Sequence, residues 1–139
     1  MLVKRVKVRD VLKHRTQTID PSVSLLEAAK KMIENATDAL VVSPLETDEP
    51  FGIITQRDIV DLFADEVDIG KVTVGEMASK PLFIVSPGMP ILYAAKMFRK
   101  GEVNHLAVFN GQEILGIISC NDVLKTLPNL IEQIYSEFD

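Results

Sequence analysis

The sequence has no tryptophan, one cysteine and two histidines, and aromatic residues make up only 6% of its 139 positions. A core built from such a chain must be aliphatic. Cys120 alone cannot close an internal disulfide, which fits a cytoplasmic protein. It stands between Ser119 and Asp122 with no activating neighbour in sequence, and reads as structural. No His/Glu or Cys/His pair has metal-ligand spacing, so no metal site is expected. Positive charge is short as well: 15 Lys and Arg stand against 20 Asp and Glu, a net charge of −5. That balance argues against nucleic acid, whose phosphates are held by clustered cations. The one basic stretch, Met1 to Arg9, alternates apolar and basic residues like an edge strand and is too short for a DNA-binding arm. No apolar run reaches membrane-spanning length and no secretory signal pattern is visible, so no membrane partner is expected. There is no Walker-type glycine loop and no nucleophile–base arrangement, so the chain does not read as an enzyme.

What the chain does have is apolar content, 47% of all residues, enough for a sizeable core at this length. It also repeats itself. At an offset of 66, Val8 falls on Val74, Pro21 on Pro87, Leu26 on Leu92 and Ala28-Ala29-Lys30 on Ala94-Ala95-Lys96. The offset then drops to 64, because the loop from Pro44 to Pro50 faces the short turn Asn110-Gly111-Gln112. After it, Gly52-Ile53-Ile54-Thr55-Gln56-Arg57-Asp58 matches Gly116-Ile117-Ile118-Ser119-Cys120-Asn121-Asp122. A length change confined to a turn is what a duplicated fold tolerates.

Each copy reads as strand, helix, strand, strand, helix. Thr16 to Ile19 and Leu82 to Val85 are short strands before a proline. Ser24-Leu25-Leu26-Glu27 is a capping box that starts the first helix, and Pro90 stands at the matching helix start. Ala39 to Val42 and Leu106 to Phe109 pair with Phe51 to Ile54 and Ile114 to Ile118, the second hairpin carrying the two-residue turn signal Asn110-Gly111. The closing helices start at Thr55 and Ser119. A three-stranded sheet with two helices cannot bury both faces alone. The expected fold is therefore mixed α/β (α+β), two β-α-β-β-α repeats packed with pseudo-twofold symmetry. The boundaries are 1–66, 67–127 and an added helix over 128–139. The apolar face of that helix (Leu130, Ile131, Ile134, Tyr135, Phe138) covers the chain's own core or makes a dimer contact.

The motif G-I-I-[TS]-x-x-D occurs twice. Its spacing serves two jobs. One is structural: the hydroxyl of Thr55 or Ser119 caps the helix, and Asp58 or Asp122 lies at the positive end of the helix dipole. The other is functional: free N–H groups and a hydroxyl donate to phosphate, while a carboxylate accepts the cis-diol of a ribose. The two jobs need not compete, since helix N-termini at strand ends are where α/β folds place ligands.

From Val8 to Leu127 the chain resembles a cystathionine-β-synthase-type (CBS) domain pair, or Bateman module. The resemblance rests on V-R-D-V (Val8 to Val11), V-G-E-M (Val74 to Met77), the proline before each first helix and the two motifs. It implies a regulatory module with clefts between the repeats that bind AMP, ADP, ATP or S-adenosylmethionine, none of them an obligatory cofactor. It implies that Asp58 and Asp122 hold ribose hydroxyls, with Thr55 and Ser119 near ribose or phosphate. The base pocket falls to Ile19, Asp20, Thr37, Asp38 and Ala39 in one repeat. In the other it falls to Val85, Ser86, Val103, Asn104 and His105. Each cleft would join the base pocket of one repeat to the motif Asp of the other, as Ile19, Asp38 and Ala39 with Ser119 and Asp122. His105 aligns with a phosphate contact of some members. Arg57, opposite Asn121 in the other motif, points to the Asp58 cleft for a phosphate-bearing ligand. Asp20 and Asp38 disfavour a triphosphate in the other cleft. His14 reads as an ordinary loop residue. The resemblance also implies a homodimer of side-by-side modules and an unknown effector protein. The alternative is a ligand-independent dimerisation or interaction scaffold in which both motifs are only caps.

Overall fold

The structure is a computed structural model that describes residues 6–12, 17–80 and 82–136. Its elements are α1 (Val8–Val11), β1 (Thr18–Ile19), α2 (Leu25–Glu34), β2 (Ala39–Val42), β3 (Gly52–Thr55) and α3 (Gln56–Ala64). They continue with α4 (Val74–Met77), β4 (Ile84–Val85), α5 (Ile91–Gly101), β5 (His105–Phe109), β6 (Ile114–Ser119) and α6 (Cys120–Ser136). The strand-helix-strand-strand-helix order appears twice. Two three-stranded sheets result, β1-β2-β3 and β4-β5-β6. In each, the first pair is parallel and the second antiparallel.

The chain forms two compact units, Thr16–Leu82 and the pair of segments Met1–Arg15 with Phe83–Asp139. These units are offset from the repeat boundaries read in the sequence, and the backbone shows why. The segment before each repeat docks elsewhere. In α1, the Val8 and Arg9 N–H groups donate to the Met89 and Pro87 carbonyls at 2.8 and 3.0 Å. In α4, Val74 and Gly75 donate to Val23 and Pro21 at 2.9 and 2.8 Å. Val8 and Val11 are thereby buried with Val85, Ile91, Leu106 and Ile118. Val74 is buried with Leu25, Leu40 and Ile54. Both cores are aliphatic apart from Phe98, as the scarcity of aromatics requires.

The first helices begin where the sequence places them. The Ser24 hydroxyl accepts the Glu27 N–H at 3.1 Å, and Pro90 is the N-cap of α5. On α2, Leu25, Ala28 and Met32 are buried at helical spacing.

Four features differ from the sequence reading. Val8 and Arg9, the end of the stretch read as an edge strand, instead begin the helix Val8–Val11, where the Asp10 carboxylate accepts the Lys7 N–H at 2.8 Å and closes a turn. Met1 to Arg5, His14 and Thr16 lie outside the described residues. The β5–β6 turn spans Asn110 to Glu113, not two residues: the Asn110 side chain accepts both the Gln112 and Glu113 N–H groups at 2.8 Å, and a register shift at Val108/Phe109 takes up the slack. The last helix does not stop at Pro128, and among the described residues no separate helix follows. Instead α6 runs unbroken from Cys120 to Ser136 with Pro128 inside. Pro128 is exposed, where the carbonyl it leaves unbonded can take water. The face read on this helix is divided: Leu130 is buried, while Ile131 and Tyr135 are 40% and 68% exposed. The Ile134 side chain and Phe138 lie outside the described residues.

Candidate functional site

Thr55 ends β3 in an extended conformation and is the N-cap of α3. Its hydroxyl accepts the Asp58 N–H at 3.2 Å, while Asp58 Oδ2 accepts the Thr55 N–H at 2.8 Å. Ser119 and Asp122 repeat this at the head of α6, again at 3.2 and 2.8 Å. All four residues are half-buried. Each capping box holds its carboxylate rigidly at a helix N-terminus. One of about four acceptor positions on that carboxylate is occupied, and the others can receive further donors. The hydroxyls accept in the cap and keep their own hydrogens to donate.

A third backbone bond completes each helix start. The Gln56 N–H donates to the Asp38 carbonyl at 2.8 Å, and the Cys120 N–H to the Asn104 carbonyl at 3.1 Å. These carbonyls were not among the features legible in sequence, since any residue supplies one. With N1 and N3 satisfied, N2 (Arg57 or Asn121) is the position these bonds leave for an anion.

Strand register places the remaining candidates. Ala39 pairs with Thr55, and His105 with Ser119. Thr37, Asp38 and Ala39 are thus brought to the Thr55–Asp58 cap of their own unit. Val103, Asn104 and His105 are likewise brought to Ser119–Asp122. The Thr37 hydroxyl stiffens this approach by donating to the Ala39 carbonyl at 3.1 Å. Ile19 pairs with Val42, and Val85 with Val108, at the opposite ends of their sheets. Ile19 and Asp20 therefore stand about 10 Å along the strands from Ala39, as do Val85 and Ser86 from His105.

Charge is mostly tied down locally. Arg57, assigned to phosphate on sequence grounds, donates from Nε to Asp61 at 2.9 Å in an exposed pair one helical turn away. Asp20 accepts both the N–H and the hydroxyl of Ser22, at 2.8 and 2.5 Å. Those two bonds hold its carboxyl below the usual carboxylate range. Burial pushes the Cys120 thiol up, so it is a poor nucleophile at neutral pH. A cleft of about 660 Å³ opens between β1 and α2, lined by Ile19, Asp20, Glu27, Lys30, Lys31 and Ser43 among others. Both of its lysines are engaged: Lys30 with Glu27 at 3.4 Å, and Lys31 with the Thr18 carbonyl. Among the described residues no group of His, Cys, Asp and Glu is placed to hold a metal.

Two copies of one small α/β unit, each with a capped strand-to-helix junction, define a class. The CBS domain pattern matches residues 8–65 and 74–129, and the chain belongs to the CBS domain family. An uncharacterised protein of Methanopyrus kandleri is 28% identical over 97% of the chain, which spans 69% of that protein. The L-aspartate semialdehyde sulfurtransferase of Methanosarcina acetivorans is 30% identical over 86% of the chain, which spans 23% of that enzyme. Among solved structures, a hexameric CBS-CP12 protein from bloom-forming cyanobacteria superimposes with a TM-score of 0.80 at 31% identity, covering 86% of this chain and 66% of that one. A Pyrobaculum aerophilum CBS domain protein complexed with AMP gives 0.79 at 20% identity, over 91% and 97%. A CBS domain pair in complex with 5′-methylthioadenosine and S-adenosyl-L-methionine gives 0.76 at 22% identity, over 89% and 97%. No helix among the described residues is long and apolar enough to cross a membrane.

Proposed function

We propose that this chain is a cytoplasmic regulatory module that binds an adenosine-containing ligand at its two capped helix starts and signals the bound state to a partner protein. One observation carries this. Two capping boxes of the same geometry hold Asp58 and Asp122 half-buried at helix N-termini, with most of each carboxylate's acceptor capacity uncommitted. A ribose cis-diol supplies the matching pair of donors. Relatives of the same fold with AMP, or with methylthioadenosine and S-adenosylmethionine, support the adenosyl class. The base contacts fall to the strand-start residues beside the caps, Thr37 to Ala39 and Val103 to His105, and then to Ile19, Asp20, Val85 and Ser86. Binding rather than catalysis is the role, and the sulfurtransferase activity stays with a protein of which this chain matches under a quarter. A ligand acts on the partner only through a difference in affinity between two states of the module.

A thermal-shift panel of AMP, ADP, ATP, S-adenosylmethionine and methylthioadenosine tests the reading. At least one raises the melting temperature, and D58A/D122A removes the rise. An equal rise in the double variant sinks the site assignment. A second reading has its own observation: both boxes close completely on protein groups, as pure caps would. It predicts no shift with any ligand, and a chain that works only as a scaffold.

A further inference from the structure

Each sheet ends on a two-residue edge strand, β1 in one unit and β4 in the other. The two edges are equivalent in the duplication but are closed differently. At β1, the Val41 and Ser43 N–H groups donate to the Gln17 and Ile19 carbonyls at 2.9 and 3.1 Å. Strand alternation therefore turns the Thr18 N–H and carbonyl outward. Lys31, on α2, donates to that Thr18 carbonyl. A lysine laid across an edge guards it against further strand pairing. At β4, the Ala107 N–H donates to the Phe83 carbonyl at 2.9 Å, and the same alternation turns the Ile84 N–H and carbonyl outward. At the offset of 66, Ile84 takes the place of Thr18, and Met97 takes the place of Lys31. Methionine has no N–H to lay on the edge. Among the described residues no strand or bridge pairs with the outer side of β4.

This unguarded edge is apolar and its surroundings are basic. Phe83 and Ile84 are 47% and 49% exposed. The Phe83 ring lies against the end of α5, 3.7 Å from where a Cβ on Gly101 would stand. The cleft beside β1 has three acids, Asp20, Glu27 and Glu34, against Lys30 and Lys31. The matching places beside β4 hold Ser86, Tyr93 and Lys100 against Lys96 and Met97, so two lysines and no acid. Both lysines are exposed, with Lys96 over the Tyr93 ring at 5.3 Å. Neither has an ion-pair partner among the described residues. Val85 is buried with α5, so Ile84 points to the other face of the sheet. Charge selects the occupant. A second copy would bring its own basic edge against this one, and the stretch Met1 to Arg5 carries only basic charge.

We propose that the β4 edge docks an extended acidic segment of a partner protein, which adds to the sheet as a further strand. Its apolar side chains lie on Ile84, and the alternate acidic ones turn toward Lys96 and Lys100. Such docking follows from the fold alone and needs no adenosyl ligand.

Fluorescence anisotropy with a labelled peptide of about eight residues, alternating valine with glutamate, tests this on the full chain without nucleotide. The wild type binds the peptide saturably, and a valine–lysine peptide does not bind. Methylation of one alternate set of the peptide's backbone nitrogens abolishes binding, and methylation of the other set does not. I84T/M97K, which copies the guarded β1 edge, weakens binding at least about tenfold. K96E/K100E loses the glutamate peptide and gains the lysine one. Its positions are exposed, so it stands as a test even if the lysine at 97 unsettles the core. No binding by the wild type overturns the proposal, as does equal binding by K96E/K100E or equal loss from both methylated peptides. A concentration-dependent dimer that excludes the peptide gives the edge to a second copy and overturns it too.

Discussion

Asp58 and Asp122 cap their helices, and the proposed function gives them a second role that a single substitution can separate from the first. The cap needs only an acceptor oxygen reaching back to the N-cap N–H, and an amide supplies one as well as a carboxylate. The diol role needs the carboxylate's charge and spare acceptors. D58N therefore keeps near-wild-type stability and weakens ligand binding, whereas D58A loses both, with a stability cost of about 0.5–2 kcal/mol. Chemical denaturation and calorimetry on the two variants check the split. Asp20 gives a pH signature. Its folded carboxyl titrates below the ordinary range because Ser22 favours the charged form. The stabilisation is therefore present above pH ~4 and lost as pH falls through the lowered value. The melting-temperature gap between wild type and D20A should be open at pH 7 and close in strong acid. A gap that widens in acid contradicts the assignment. Ala36 and Glu102, at equivalent places after α2 and α5, have left-handed φ of 50° and 53°. Ala36→Gly removes the side-chain penalty there and should stabilise by about 0.5–1 kcal/mol in a denaturant titration.

At the scale of elements, the sequence was most readable where local chemistry decides the outcome. Ser24 with Glu27, Pro90, and the Thr55 and Ser119 junctions each fix a helix start through bonds three residues apart, and the structure puts the helices there. It was least readable where the deciding partner is distant. Nothing near Val8 or Val74 in sequence shows that their N–H groups go to Met89 and Val23, so the start of α1 read as the end of a strand, and the compact units cannot be read off the repeat boundaries. The site was legible in the same uneven way. The motif residues announced themselves, while the sheet-end separation of Ile19 from Ala39 and the local capture of Arg57 follow from register and side-chain packing. Gly75 shows how tight the α4 docking is. A Cβ there would stand 2.8 Å from Pro21 Cβ and 3.0 Å from the Pro21 carbonyl oxygen. Gly75→Ala must push α4 off β1's exit and should destabilise by about 1–3 kcal/mol. Arg9, its counterpart in α1, already carries a side chain at a looser 3.0 Å backbone bond.

For the whole molecule, the duplication makes two candidate sites, caps of one geometry with unequal surroundings. Arg57 and Ala39 stand where the other copy has Asn121 and His105. Arg57 pairs with Asp61 in an exposed contact that a phosphate at the Asp58 cap would compete with. What the two copies share is the carboxylate and hydroxyl pair, and that shared part points to the nucleoside. The most direct test is native mass spectrometry of the full chain with the adenosyl panel, beside D58N/D122N. The wild type should carry one or two adenosyl-ligand masses per chain, and the double variant, folded and of the same oligomeric state, should carry none. Equal ligand loading on both proteins, or no loading of the wild type by any member of the panel, would contradict it.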